Sequence, residues 1–158
     1  MANPVLYSNG YVGLASTTGV TAFTAAMNLS GVKSVAAPFS NAELANAVMG
    51  DTVEALYPGL TSAGITLQLR QDFTTGGATL PLFGNDKKFW TLWNAKTPCT
   101  LQLRPVNAAG SVTNPKYTFT KVYISSITPI NGAHGELLTN EVKVVLGGGT
   151  ITRVTSST

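Results

Sequence analysis

Two short stretches of the chain alternate between apolar and polar residues. In the first, Ile65, Leu67 and Leu69 are separated by polar residues, and residues 99–104 repeat the pattern. Successive side chains of a β-strand point to opposite faces, so each stretch predicts a strand with one face on a core and the other toward water or a partner. Further strands are predicted at 32–36, 117–127, 141–146 and 151–154. Because the chain lacks a βαβ rhythm, the pattern predicts a mainly β fold, an antiparallel β-sandwich or barrel.

One flanking α-helix is predicted at about residues 86–95. Asn85 or Asp86 can cap its first turn, and Pro98 ends it. Its apolar side chains are expected to form a face that covers one side of the sheet, and they are Phe89, Trp90, Leu92 and Trp93.

The stretch from 40 to 60 does not follow either pattern cleanly. Ser40 with Glu43 three residues later fits a capping box, so residues 40–49 are interpreted either as a short helix or as an extended arm. Asp51 to Tyr57 is expected to be extended, and Pro58-Gly59 is expected to form a turn before the strand at 64–73.

Composition favours assembly over catalysis. Charged residues make up 11% of the 158 residues, against roughly 25% in a typical soluble domain. A weakly charged surface resists association poorly, so self-association is expected of a single domain spanning 1–158. The net charge of +3 is scattered, which disfavours a dedicated duplex-binding face.

The residues that could carry chemistry lack partners in the sequence. His134 is the only histidine, and Cys99, the only cysteine, lies in a predicted strand. Gly147 to Gly149 lacks the Gly-Lys-Ser/Thr end of a phosphate loop, so 147–158 is interpreted as a flexible C-terminal tail. Neither a secretory signal nor a membrane-spanning stretch is found. We therefore expect no enzyme activity, no cofactor, no metal and no membrane contact.

Several ordered motifs resemble the tail tube, or major tail, proteins of long-tailed bacteriophages. These motifs are MGDT (49–52), PGL (58–60), LRQDF (69–73), LQLRP (101–105), TNPKYTFTKVYISSITPINGAHGEL (113–137) and GTITRVTS (149–156). The motifs follow one another in order, and the likeness runs over most of the chain from about Met27 onward.

The resemblance implies a structural role in a virion. Six copies would close into a ring, and stacked rings would form a tube that encloses the tape measure protein and conducts DNA without binding it specifically. Tail terminator and baseplate proteins would be further partners. The chain would be made in the bacterial host cytoplasm and would reside in the tail, with a flexible, non-contractile tail favoured.

The resemblance also implies roles for particular positions. Contacts of an intersubunit arm (about 40–60) would be made by Glu43, Leu44, Met49, Gly50, Asp51, Thr52, Glu54, Leu56, Tyr57 and Pro58. Strand residues facing the lumen would be Thr66, Gln68, Arg70 and Lys121. Tubes of this family usually have an acidic lumen, so inward-facing Arg70 and Lys121 would be a departure.

Two other functions fit parts of the sequence. A capsid decoration or cement protein, or another head-tail structural protein, would share the small β-rich fold and low charge. A carbohydrate-binding sandwich could use Trp90 and Trp93 as a stacking platform. Because these tryptophans are three residues apart on a helix that needs an apolar face, core packing is the favoured interpretation of both.

Overall fold

A computed structural model describes residues 10–24, 27–29, 31–46, 55–71 and 85–155. These residues form eight strands and one helix. The strands are β1 (Tyr11–Ala15), β2 (Val32–Ala36), β3 (Phe39–Asn46), β4 (Ala55–Arg70), β5 (Cys99–Arg104), β6 (Lys116–Asn131), β7 (Thr139–Leu146) and β8 (Ile151–Val154), and the helix is α1 (Asn85–Asn94).

All strand pairs are antiparallel, in the order β1-β5-β6-β7-β4-β2, while β3 pairs with β4 and β8 pairs with β6. The two longest strands, β4 and β6, have 16 residues each and change partners along their length. Within the described residues the sheet does not close into a barrel. The predicted mainly β fold with one flanking helix is confirmed, and of sandwich and barrel the structure is consistent with the sandwich.

The core lies where the alternating patterns predict it. Ile65, Leu67 and Leu69 of β4 are buried, and so are the apolar residues of β5. From α1, Phe89 and Leu92 join the same cluster. Burying one such side chain completely contributes about 1.5–3 kcal/mol, so this contiguous cluster is what fixes the helix on the sheet.

Residues 39–46 and 55–63 pair as a two-stranded ribbon, and the segment 39–63 that contains them is called the arm. Its first strand is β3 and its second is the first half of β4, with Phe39 opposite Ala63 and Asn46 opposite Ala55. The choice between helix and extended arm is therefore settled for residues 40–46, which are strand; 47–49 lie outside the described residues. Strand pairing along β4 outweighs the local capping-box signal.

The expected turn at Pro58-Gly59 is wrong. Strand β4 runs through both residues, and the register between Asn41 and Glu43 slips there by a bulge. Proline, which cannot donate to a ladder, is tolerated at such irregular edge positions. An added Cβ on Gly59 would lie 3.0 Å from the Ala42 carbonyl oxygen, so glycine allows the close approach at this bulge.

The interpretation of 147–158 as a flexible tail is also wrong for residues 147–155. The Gly147 N–H donates to the Lys121 carbonyl at 2.9 Å, and the Thr150 N–H donates to Thr120 Oγ1 at 2.8 Å. Strand β8 then pairs with β6 from Phe119↔Ile151 to Lys116↔Val154. Backbone pairing thus holds the glycine run against the sheet.

Candidate assembly surfaces

The arm exposes apolar side chains although it is only two strands wide. Leu60 is 87% exposed and Leu44 is 57% exposed. Cross-strand polar contacts link its strands near the base, where Ser40 Oγ and Ser62 Oγ lie 2.8 Å apart and Thr61 Oγ1 donates to Asn41 Oδ1 at 2.7 Å. An isolated two-stranded ribbon is marginally stable in water. The arm therefore has the properties of an element that is completed by contact with something else.

Predicted arm residues fall into three groups. Glu43, Leu44 and Pro58 lie on the ribbon and are exposed. Leu56 and Tyr57 lie in β4, where they pair with Ala45 and Leu44. Outside the described residues lie Met49, Gly50, Asp51, Thr52 and Glu54.

The four predicted lumen residues share one face of the sheet. Thr66 and Gln68 stand opposite Lys143 and Glu141 on β7, and Arg70 stands opposite Thr139. In β6, Lys121 comes two residues before Tyr123, which lies opposite Val145 in the same alternation. Apart from Tyr123 and Val145, the named residues of this face are polar, and the face looks away from the core.

The charges on that face are mainly basic. Arg70, Lys121 and Lys143 are exposed, and the Lys143 Nζ lies 3.8 Å from Glu141 Oε1. The Ser34 hydroxyl donates to Gln68 Oε1 at 3.2 Å across β2 and β4. The strand register places these side chains on one surface, and that they face a lumen stays a prediction.

A second exposed apolar surface lies on α1, and it corrects the prediction for the tryptophans. Trp90 is 50% exposed and Trp93 is 36% exposed, whereas Phe89 is buried. The two indole rings pack on each other with centroids 5.3 Å apart and a 46° tilt. Core packing of both tryptophans is therefore wrong. The tilted pair does not present one flat face of the kind on which a sugar ring stacks.

A groove of about 510 Å³ opens beside this pair, between the end of α1 and the middle of β6. It is lined by Trp93, Asn94, Lys96, Tyr123, Ile124 and Ser125. Sequence reasoning missed this groove, because it depends on how α1 crosses β6.

Lys96, two residues after the end of α1, lines the groove and has a left-handed backbone conformation, with φ of 51°. The Thr97 N–H donates to the Leu92 carbonyl and the Lys96 N–H to the Trp93 carbonyl, a Schellman motif. Glycine is the usual residue at such a position, since a Cβ there is strained by about 1–2 kcal/mol. The chain places a lysine where the backbone favours glycine.

The buried polar groups near α1 serve the fold. Burial lowers the pKa of Lys88, whose Nζ donates to the Leu14 carbonyl at 2.7 Å. Burial also raises the pKa of the Cys99 thiol to about 11, with nearby Lys88 opposing this shift. A protonated, inaccessible thiol is a poor nucleophile.

Other kinds of site receive no support from the described residues. His134 is exposed in a turn. Over the ranges that the structure describes, no group of three or more His, Cys, Asp or Glu could hold a metal ion. Over the same ranges, no helix has the length and apolarity needed to cross a membrane.

Solved structures with a similar fold include a tail tube chain and chains of a gene transfer agent virion and a contractile injection system. A chain of the SPP1 tail tube matches with a TM-score of 0.66 and 9% identity, over 97% of this chain and 81% of its own length. A chain from the virion of a native gene transfer agent particle matches with a TM-score of 0.61 and 12% identity, over 90% of this chain and 95% of its own length. A chain from the sheath-tube complex of the extracellular contractile injection system PVC matches with a TM-score of 0.61 and 11% identity, over 96% of this chain and 93% of its own length.

A chain from the tail of an empty gene transfer agent particle with C6 symmetry matches with a TM-score of 0.57 and 11% identity, over 90% of this chain and 95% of its own length. No family model and no curated protein sequence matches the chain. The likeness spans nearly all of the chain, so the fold is that of tail tube proteins.

Proposed function

We propose that this chain is a non-enzymatic structural subunit of a phage-type tail tube. Six copies form a ring, and stacked rings enclose the tape measure protein and let DNA pass during ejection without specific binding. Tail terminator and baseplate proteins are its further partners. The protein is made in the host cytoplasm and resides in the tail of the virion.

The observation that carries the proposal is the fold likeness together with the exposed arm. The likeness covers 97% of this chain in the SPP1 tail tube comparison. Within that fold, the arm leaves Leu44 and Leu60 exposed on a ribbon of two strands. Edge strands and apolar patches of this kind are satisfied by pairing with a neighbour in a closed ring. We expect each subunit contact to bury more than about 2,000 Å².

The polar face of β4, β7 and β6 is the proposed wall of the lumen. Arg70, Lys121 and Lys143 make it more basic than acidic. Phosphate contacts would slow the passage of DNA at low salt, because each neutralised phosphate releases a counterion. The lumen proposed here therefore lacks the acidic lining usual in the family that the sequence resembles.

Immunogold labelling of intact particles tests the proposal against the cement-protein alternative. Antibody raised against the purified chain should label the tail along its whole length. Antibody against the major head protein is the control for label that spreads from broken particles. Label confined to the head surface would sink the tail tube proposal.

A further inference from the structure

The arm joins the rest of the sheet at the residue pair Pro38 and Gly64. Along β4, the register reads Ala36↔Thr66 on one side of this pair and Phe39↔Ala63 on the other. Both strands advance by three residues between those positions, so β2 and β3 follow one line along β4 and Pro38 falls opposite Gly64. We call this pair the pivot.

Backbone hydrogen bonding at the pivot is incomplete. The Gly64 N–H donates to the Pro38 carbonyl at 3.4 Å, which is long for such a bond. Residues paired in this way in an antiparallel ladder normally exchange two bonds. Proline has no N–H, so the return bond to the Gly64 carbonyl cannot form. Pairing of β4 with β7 also ends at Gly64, and the sheet narrows there from three strands to two.

Gly64 is not required by lack of space or by a special backbone conformation. No atom lies within 4 Å of a Cβ built on it, and its φ lies outside the left-handed region. Glycine inside a strand often marks a close approach of another chain segment, and that reason is absent here. Glycine at this position adds backbone freedom, and hinges are formed by a few residues that absorb changes in φ and ψ.

One aromatic side chain beside the pivot ties the arm to β6. The centroid of the Phe39 ring lies 5.8 Å from that of Phe119 and 6.2 Å from that of Tyr117, with tilts of 43° and 38°. Tilted aromatic pairs at such distances attract each other. Phe119 is fully buried, whereas Phe39 is 47% exposed, so this contact lies at the margin of the core.

We propose that the arm turns as one unit about the pivot, and that the Phe39 ring is the latch that holds it in the orientation seen here. The cross-strand side-chain contacts near the base of the arm join its own two strands and keep them together. Release of the latch lets the arm change its angle to the sheet while β3 stays paired with β4. The motion is a property of the free subunit, so this inference goes beyond the proposed function.

Distances between spin labels on the arm and the sheet, measured by double electron–electron resonance on dilute, unassembled protein, test the latch. Labels are attached to Leu44→Cys and Ile130→Cys, because both positions are exposed, while buried Cys99 stays unlabelled. Leu44 lies six residues from the pivot, or ~20 Å along a strand. We expect a narrow distance distribution, and Phe39→Ala should at least double its width. Leu60→Ala, which removes another exposed apolar side chain of the arm, is the matched control and should leave the width unchanged.

A second substitution tests the pivot itself. Gly64→Val places a branched side chain in open space and restricts the backbone. Added to Phe39→Ala, it should restore the narrow distribution. A label pair within the arm, Leu44→Cys with Ser62→Cys, distinguishes turning of the arm from separation of its strands, and its distance should be the same in every variant.

Three results would overturn the proposal. An equal width in Phe39→Ala and Leu60→Ala proteins would remove the latch. Broadening that persists when Gly64→Val is added would place the motion away from the pivot. Broadening of the label pair within the arm would show that the strands separate and that the arm does not turn as a unit. These measurements involve no tube, so each of these results leaves the proposed function standing, and immunogold label confined to the head would remove that function without affecting the pivot.

Discussion

Lys96 has a backbone conformation that is unfavourable for its residue type. Its φ of 51° suits glycine, yet a lysine stands there at the rim of the groove. Lys96 is thus an exposed side chain whose backbone conformation lowers the stability of the fold.

Lys96→Gly should raise the free energy of unfolding by about 0.5–1 kcal/mol, because relief of left-handed strain outweighs the added freedom of the unfolded chain. Urea titration measures this difference. Ala95→Gly is the matched control, since the Ala95 N–H still bonds to the Thr91 carbonyl of the last turn and glycine there should destabilise by about 1 kcal/mol. A loss of stability in Lys96→Gly would contradict the strain assigned to this position.

Cys99 should react slowly with iodoacetamide in the folded protein. With a pKa of about 11 instead of 9.0, its thiolate fraction at pH 8 is lower by about 100-fold, and burial reduces access further. The rate should recover in denaturant. Because the unfolded thiol ionises first, this group lowers the free energy of unfolding as pH rises from 9 to about 11. Equal alkylation rates in folded and unfolded protein would show that the thiol is accessible.

Among the secondary-structure elements, those set by local alternation of apolar and polar residues were predicted correctly. Those set by pairing between distant strands were not. The alternation at Ile65, Leu67 and Leu69 has one solution, because a slip of one residue would expose all three. In contrast, the capping box at Ser40 and the Pro58-Gly59 pair are local signals, and the register of the arm outweighs both.

The helix shows the same division. Phe89 and Leu92 are three residues apart and face the core, while Trp90 and Trp93 are rotated by one residue, about 100° around the axis. The sequence showed four apolar residues but not which stripe the sheet would cover. The way α1 crosses β6 decides which stripe is buried. The same crossing creates the groove that Trp93 and Tyr123 line.

Phe89→Ala and Trp90→Ala should therefore differ sharply. Phe89 is fully buried, and its loss should lower the free energy of unfolding by about 3–5 kcal/mol. Trp90 is half exposed, and its loss should lower it by less than about 1.5 kcal/mol. Thermal or urea unfolding measures both on the same helix. Similar losses in the two variants would mean that Trp90 is a core residue.

Variants of the arm should separate folding from assembly. Leu60→Asp should leave the monomer folded, because the side chain is exposed, but should prevent polymerisation by placing a charge in the contact. Circular dichroism and sedimentation measure the two properties. Leu67→Asp, in the core half of the same strand, should abolish folding instead. Normal tubes from Leu60→Asp protein would remove the assembly role from the arm.

At the scale of the whole molecule, low charge and segregated charge have one explanation. A chain with 11% charged residues is poorly protected against association. In the proposed tube, the acidic segment 39–63 and the basic remainder of the chain favour a head-to-tail contact between copies. Repeated with the correct rotation, such a contact closes into a ring. The rotational symmetry of an assembly is not determined by the structure of one chain, so it has to be measured on the assembled protein.

Cryo-electron microscopy of the assembled protein, concentrated after purification or within tails of intact particles, measures that symmetry directly. We expect stacked rings of six copies, with the arms in contact with neighbouring copies and the Arg70 face toward the lumen. Assemblies with another rotational symmetry, or copies of this chain on the head and none in the tail, would contradict it.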